Sequence, residues 1–220
     1  MTLSLFFEHI PEILKAYFDD GINLWEPLTT IAAMIRDITA GGTYREIKPG
    51  VFVGKEVKIE SNAILYGPAF IGEGCEIRPG AFIRENVIIC KGSVIGNSTE
   101  VKNSILFEKV QVPHFNYIGD SIMGNGSHLG AGVILSNYRL DGKTIDVKLP
   151  TDKRTKTSTG LTKLGSIIGD NVQIGCNSVI NPGTIIEKGI WINPLSNIRS
   201  GYYAAGSRFE KNWTNPLLKD

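Results

Sequence analysis

Large apolar residues recur every six positions through most of the chain. From Val53 the series runs through Ile59, Leu65, Ile71, Ile77, Ile83, Ile89, Ile95, Val101 and Phe107. The residue four places after each of the first nine is small or apolar: Val57, Ala63, Ala69, Cys75, Ala81, Val87, Ser93, Thr99 and Ile105. The same comb returns as Ile168, Ile174, Ile180, Ile186, Ile192 and Ile198. A helix, with about 3.6 residues per turn, would scatter such a series around its axis. A short strand followed by a turn keeps it on one side. Residues i and i−2 of a strand share a face, and the Gly, Asn, Glu and Lys between are turn formers. Three hexads close one triangular coil, and coils stacked about 4.8 Å apart make a parallel β-helix. About six coils are expected, a prism roughly 30 Å long. Each inward Ile or Val contributes on the order of 1.5–3 kcal/mol by burial.

Composition narrows the partners. The chain has 220 residues, room for one ordinary domain and a small appendage. A net charge of +1 gives no global basic face, so no nucleic-acid partner is expected. Cys75, Cys90 and Cys176 are an odd count without C-x-x-C spacing, so neither a disulfide framework nor a zinc site follows. The opening MTLSLFFEHIPEIL lacks a basic region and carries Glu8, which does not read as a signal peptide. No apolar run reaches the about 18 residues of a membrane span. A cytoplasmic protein without a membrane partner is the expectation.

Residues 1–45 lie ahead of the comb. Ile10, Ile13, Leu14, Tyr17 and Phe18 fit one helical face, with Pro11 in its first turn. Leu28, Ile31, Ala32, Ile35 and Ile38 fit another, between Pro27 and Gly41-Gly42. Two helices packed on the first coil are expected, a helical cap ahead of a β-helix over 46–200 and a tail over 201–220. Residues 136–165 have no hexad phase and read as a loop insertion. The insertion carries Arg139, Lys143, Lys148, Lys153, Arg154, Lys156 and Lys163 against Asp141, Asp146 and Asp152. That basic excess suits a phosphorylated ligand; a plain solvated loop is the other reading of its tip, TDKRTKTSTG.

The comb breaks once more. From Phe107 to its restart at Met123 the spacing is two hexads plus four, which places four extra residues around EKVQVPHF. His114 then falls in the irregular part. His128 precedes inward Leu129 and faces outward.

The stretch HFNYIGDSIMGNGSHLGAGVILSNYRLDGK carries a specific motif: H-x-x-Y-[IL]-G-D, then G-A-G, an Asn some six residues on, and a Lys. Here it reads His114, Tyr117, Gly119-Asp120, Gly130-Ala131-Gly132, Asn137 and Lys143. With the hexads, this closely resembles the hexapeptide-repeat acyltransferases. Within them it resembles the glucosamine-1-phosphate N-acetyltransferase domain at the C-terminus of bifunctional UDP-N-acetylglucosamine enzymes and of archaeal sugar-1-phosphate nucleotidyltransferases. The resemblance covers about 50–200. It implies a left-handed β-helix, a homotrimer, acetyl-CoA as co-substrate and an amino-sugar 1-phosphate as acceptor. By match, His114 is the base, Tyr117, Asn137 and Lys143 contact the sugar phosphate, and an N–H at Ala131 faces the thioester. Glu100 matches an acidic sugar contact. The segments IRPGA and GNSTEVKNS match the family's phosphate-binding Arg and Lys, giving Arg78 and Lys102. The family separates these two by one 18-residue coil, a spacing that Arg84 and Lys102 satisfy and Arg78 does not. The phosphate site is therefore assigned to Arg84 and Lys102, with Arg78 as the motif's alternative. The chain departs from the family at His128, where the pattern has Asn, and at Cys176 and Pro194, where the coenzyme-facing coils carry small residues.

An amine attacks a thioester only when unprotonated, so a histidine base is chemically apt, and the thioester oxygen needs a fixed donor as it gains charge. A β-helical zinc enzyme would need three histidines on one metal. The third histidine here, His9, falls in an expected helix, so no metal site is assigned. The relatives' Gly-rich, basic nucleotidyltransferase opening is absent, and residues 1–45 are too few to hold that domain. A non-catalytic or regulatory β-helix paired with a separate nucleotidyltransferase chain is the alternative to an enzyme.

Overall fold

The computed structural model describes residues 2–149, 152–207 and 209, the side chains of 152–155 excepted. Three parallel sheets form the faces of a prism. Sheet 1 stacks strands from Val51–Val53 to Tyr202–Tyr203, with Arg45–Lys48 added antiparallel at its start. Sheet 2 runs from Lys58–Ile59 to Trp191–Ile192, and sheet 3 from Ile64–Leu65 to Asn197–Ile198, seven strands in each. The chain thus makes seven full coils, where about six were expected.

The comb lines the axis. Val53, Leu65, Ile71, Ile77, Ile83, Ile89, Ile95 and Val101 sit in one buried stack with Ala63, Ala69, Cys75, Ala81 and Val87 at the corners. Corner hydroxyls are spent on the backbone: buried Ser93 donates to the Phe107 carbonyl (3.0 Å) and Thr99 to that of Val112 (3.1 Å).

The break is not an insertion of four residues. Leu106, not Phe107, follows Val101 into the core, and Val112, Ile118 and Met123 continue the series. At the end of the prism the corner between Ile198 and Tyr203 is one residue short, and so are two corners in its middle, those between Val101 and Leu106 and between Ile118 and Met123. Asn103 (φ 42°) and Asp120 (φ 48°) turn them in left-handed conformations that Asn and Asp tolerate. The shift sends Phe107 outward, onto Phe7 (4.7 Å between ring centres) and Phe18 (5.3 Å). An apolar residue at the sixth position satisfied the comb while belonging to a different core. The short corners and the 136–165 insertion lie at the edge between sheets 3 and 1, and the other two edges keep six residues throughout.

The second core lies outside the prism, on sheet 1. Phe70, Ile88, Ile105, Phe107, Ile122, Ile167 and Ile185 face outward from successive coils and are buried by Phe6, Phe7, Leu14, Trp25, Leu28, Met34 and Ile35. The N-terminal segment therefore runs along a face; it does not lie over the first coil. Sheet 1 is apolar on both sides, so its outer face requires a cover. The second expected helix is an α-helix at Ile31–Thr39. The first is a 3-10 helix at Glu12–Tyr17, further 3-10 turns occupy Leu3–Leu5 and Glu26–Thr29. Buried Asp170 clasps the segment, accepting from the backbone N–H groups of Glu8 (2.7 Å) and Asn125 (2.6 Å).

The insertion continues the cover. Asp146–Leu149 pairs antiparallel with Asp152–Ser158, and Ile145, Val147 and Leu164 are buried in the outer core. Its base is a folded hairpin; the side chains of Lys153 and Arg154, and the tail from 210, lie outside the described residues.

Phe107→Ala is expected to cost about 3–5 kcal/mol, the usual loss for a buried phenylalanine. The inner stack should keep its register, because Leu106 fills it. Chemical denaturation measures the loss, and limited proteolysis should show the N-terminal segment cut earlier than in the parent.

Candidate active site

The edge between sheets 2 and 3 carries one column of corner residues. His114 is in register with Asn97 one coil below. Above it the corner N–H groups of Gly132, Asn177 and Leu195 donate to the carbonyls of His114 (3.1 Å), Ala131 (2.8 Å) and Cys176 (2.9 Å). His114, Ala131, Cys176 and Pro194 thus stand on successive coils, about 4.8 Å apart. His114 is exposed and stands at a regular hexad corner, two residues after inward Val112. The expectation that an irregularity moves it off the face was wrong; the short corner is at Asp120. Buried Asn116 fixes the turn by accepting from His114 N–H (3.2 Å) and donating to the Gly130 carbonyl (2.7 Å). Among the described residues the His114 ring makes no side-chain hydrogen bond, and Ala131 N–H has no backbone acceptor.

Sheet 3 carries the polar groups beside this column. Glu100 is in register with Tyr117 above and Phe82 below. Two residues along each strand, Arg84, Lys102 and Gly119 form the next column. Arg84 donates to Glu100 (3.0 Å) and lies 3.9 Å from Glu85; its guanidinium is held more basic than usual, first by the Glu100 hydrogen bond. Lys102 reaches Asp120 (3.4 Å). Asp120 also accepts from Asn103 (2.9 Å) and from Asn137. A side chain at Gly119 would meet the Tyr117 hydroxyl and the Asn137 amide, each 2.6 Å from a built Cβ. Glycine in a column of long cations therefore lets those two groups meet. Burial raises the Tyr117 phenol, and the Glu100 and Asp120 charges add to it.

Arg84, Glu100, Lys102, Tyr117 and Asn137 are thus brought together. Arg78 is not: it lies on sheet 2, paired with Glu76 of its own strand (2.9 Å). Lys143 is exposed on the insertion, and no hydrogen bond of its side chain ties it to the group. Nearby, Arg139 grips Asp141 (2.8 and 2.6 Å) and holds that carboxyl well below its usual range. Asp120 and Asn116 were missed as site residues. Asp120 stood inside the quoted motif, and a buried Asn where the comb wants a small residue was the signal for Asn116. Among the described residues, no three His, Cys, Asp or Glu side chains group to hold a metal, and no helix is long and apolar enough to cross a membrane.

This chain is 35% identical over 196 residues to the putative uncharacterized acetyltransferase YaiX of Escherichia coli, across 87% of this chain and 80% of the relative. The chain belongs to the hexapeptide-repeat acetyltransferases. Two family models match in keeping with this: the GMPPB C-terminal domain over 65–152 and the hexapeptide repeat of succinyl-transferase over 166–193. The bifunctional protein GlmU of Methanococcus aeolicus is 32% identical over 197 residues, 81% of this chain and 44% of the relative. A bifunctional sugar-1-phosphate nucleotidylyltransferase/acetyltransferase of Sulfurisphaera tokodaii is 37% identical over 141 residues, 64% of this chain and 34% of the relative. The chain spans less than half the length of these bifunctional acetyltransferases.

His128 lies half-buried on sheet 2, between Gln111 and Gln173 of the adjoining coils. Burial lowers its pKa. A lowered folded pKa means the unfolded chain binds the proton more readily. The stability tied to neutral His128 is therefore present above the unfolded value of about 6.5 and lost as pH falls through it toward the folded value. Melting temperatures of the parent and His128→Gln are expected to run parallel from pH 8 to 7. They should separate below about pH 6.5, with the parent falling faster. Parallel curves to pH 5 would remove this role.

Proposed function

We propose that this acetyltransferase moves an acetyl group from acetyl-CoA to the amine of an amino-sugar 1-phosphate. The observation that supports this best is the placement of exposed His114 at the foot of the Ala131, Cys176 and Pro194 column, beside the Arg84–Glu100–Lys102–Tyr117 face. The corner column is the coenzyme's side and sheet 3 the acceptor's. His114 accepts the proton from the acceptor nitrogen, whose lone pair forms the new C–N bond. The C–S bond breaks, and the thiol leaves with a proton. The free Ala131 N–H is the donor for the thioester oxygen as charge gathers there. Arg84 and Lys102 hold the phosphate, and Tyr117 with Asn137 holds the sugar. His128 is a binding contact at the position where the family has Asn. The names of the bifunctional relatives support the sugar-phosphate acceptor, as does the stretch from His114 to Lys143, which resembles the family motif except at His128.

His114→Ala is expected to lower turnover about 10²–10⁴-fold, the usual contribution of a positioned base. The fold should survive, since His114 is exposed and off the inward stack. His128→Ala should mainly raise KM, as a lost binding contact does, and His128→Asn should be milder. Thiol release from acetyl-CoA, read against a panel of amino-sugar phosphates, measures all three. Near-native turnover in His114→Ala would overturn the base. No release by the parent with any acceptor would favour a non-catalytic partner of a separate nucleotidyltransferase.

A homotrimer follows from the same reading. Sheet 1 is covered by the chain's own N-terminal segment and hairpin, which leaves the edge of His114 to face a neighbour. A site with its groups on one outer edge needs a second wall. Light scattering is expected to give three times the chain mass, and a stable monomer would overturn the assembly.

A further inference from the structure

Asp120 has no part in the reading above, yet three elements close on it. It is 5% exposed and turns a short corner in the left-handed conformation. One carboxylate oxygen accepts from the Asn103 amide, one coil below (2.9 Å). The other accepts from Asn137, at the start of the insertion, and from the Lys102 ammonium at 3.4 Å. The Asp120 backbone also closes the neck of the insertion: Gly165 N–H donates to the Asp120 carbonyl (2.8 Å) and Leu164 N–H to that of Asn137 (3.0 Å). Among the described residues Lys102 is the one cation within 4 Å of this carboxylate. A buried carboxylate is tolerated only with such donors around it, and an ionised one can only accept. That decides which way Asn137 faces. Its amide nitrogen turns to Asp120, and the same side chain hydrogen-bonds the Tyr117 hydroxyl. Among the described residues no hydrogen bond reaches the Asn137 carbonyl oxygen, which is open to solvent.

We infer that Asp120 is a positioning residue for the acceptor: it turns the Asn137 carbonyl oxygen outward beside Tyr117 to accept from an O–H or N–H of the sugar, and it fixes the Lys102 ammonium for the phosphate. This rests on the acceptor reading above and adds the polarity of one contact, since the ligand group facing Asn137 must be a donor. The cluster is continuous from Lys102 through Asp120 and Asn137 to Tyr117, so one carboxylate sets both the phosphate side and the sugar side. Satisfied networks of this kind hold their members in one geometry. Gly119 leaves the room it needs.

Asp120→Asn tests this. Asn tolerates the left-handed corner as Asp does, so the coil is kept. An amide offers one acceptor oxygen where Asn103 and Asn137 require two, so one of their bonds is lost. Two measurements on the whole chain decide. Proton exchange of the Asn137 side-chain amide, assigned by its absence in Asn137→Ala, is expected to be slow in the parent and fast in Asp120→Asn. Calorimetry is expected to give at least about tenfold weaker binding of glucosamine 1-phosphate by Asp120→Asn, the low end for a hydrogen bond to a charged group, with acetyl-CoA binding unchanged. Asn137→Ala, which leaves the corner intact, should weaken the same ligand, and Asp120→Asn added to it should cost no more than about a further threefold, because the two act as one unit. Parent-like binding by Asp120→Asn, full additivity with Asn137→Ala, or a fast-exchanging Asn137 amide in the parent would overturn the positioning role and keep the acceptor reading. Equal weakening of glucosamine 1-phosphate and acetyl-CoA would make Asp120 a residue of the fold and overturn it as well. No binding of glucosamine 1-phosphate by the parent, with the Asn137 amide still slow, would overturn the acceptor reading and this inference with it.

Discussion

The interaction on which everything else rests is the backbone ladder between coils. Each strand is only two to four residues long, so no strand is stable by itself, and each gains stability only from the strands above and below it. The inward Ile, Val and Leu side chains make that stacking favourable, because an equivalent position in every coil meets the same kind of neighbour. This fixes residues at one corner or on one face to columns spaced by the ladder, about 4.8 Å apart. His114, Ala131, Cys176 and Pro194 share such a column, although they span 80 positions of sequence. So do Tyr66, Arg84 and Lys102.

A β-helix with three apolar outer faces would aggregate. This chain has one, on sheet 1, and covers it from both directions in sequence. Phe6, Phe7 and Trp25 come from ahead of the coils, and Ile145 and Val147 from the insertion. The cover also ties the termini of the prism together. Asp170, from the sixth coil, accepts a hydrogen bond from Glu8. The two remaining sheets, which hold the candidate site, are left to solvent and to other molecules.

Period, fold class and most of the inner stack were legible in the sequence because a six-residue repeat has few solutions. The register beyond Val101 was not. Both Leu106 and Phe107 are apolar, and the chain has two cores, so hydrophobicity alone could not say which one enters the prism. That single ambiguity misplaced the break, which falls at Asn103 and Asp120 on either side of EKVQVPHF, and gave His114 the wrong surroundings. The N-terminal segment was misplaced for a related reason: alternate residues of sheet 1 are apolar outward, but a run such as Val87-Ile88-Ile89 reads as ordinary strand. Arg84 was preferred to Arg78 from spacing alone, and the two do stand on different sheets. The partners of Asp120 could not be foreseen, since they depend on two short corners one coil apart.

The short corners have a consequence for how such a chain can change. All departures from six residues, including the 136–165 insertion, fall at the edge between sheets 3 and 1, which carries Asp120 and Asn103. The edge carrying His114 and Ala131 keeps its count through every coil. Insertions and deletions at one phase of the repeat can therefore remodel the surroundings of Asp120 and Asn103 while the column of His114 and Ala131 stays in step. A ruler that tolerates slack at one edge alone lets one side of the candidate site change while the other keeps its spacing.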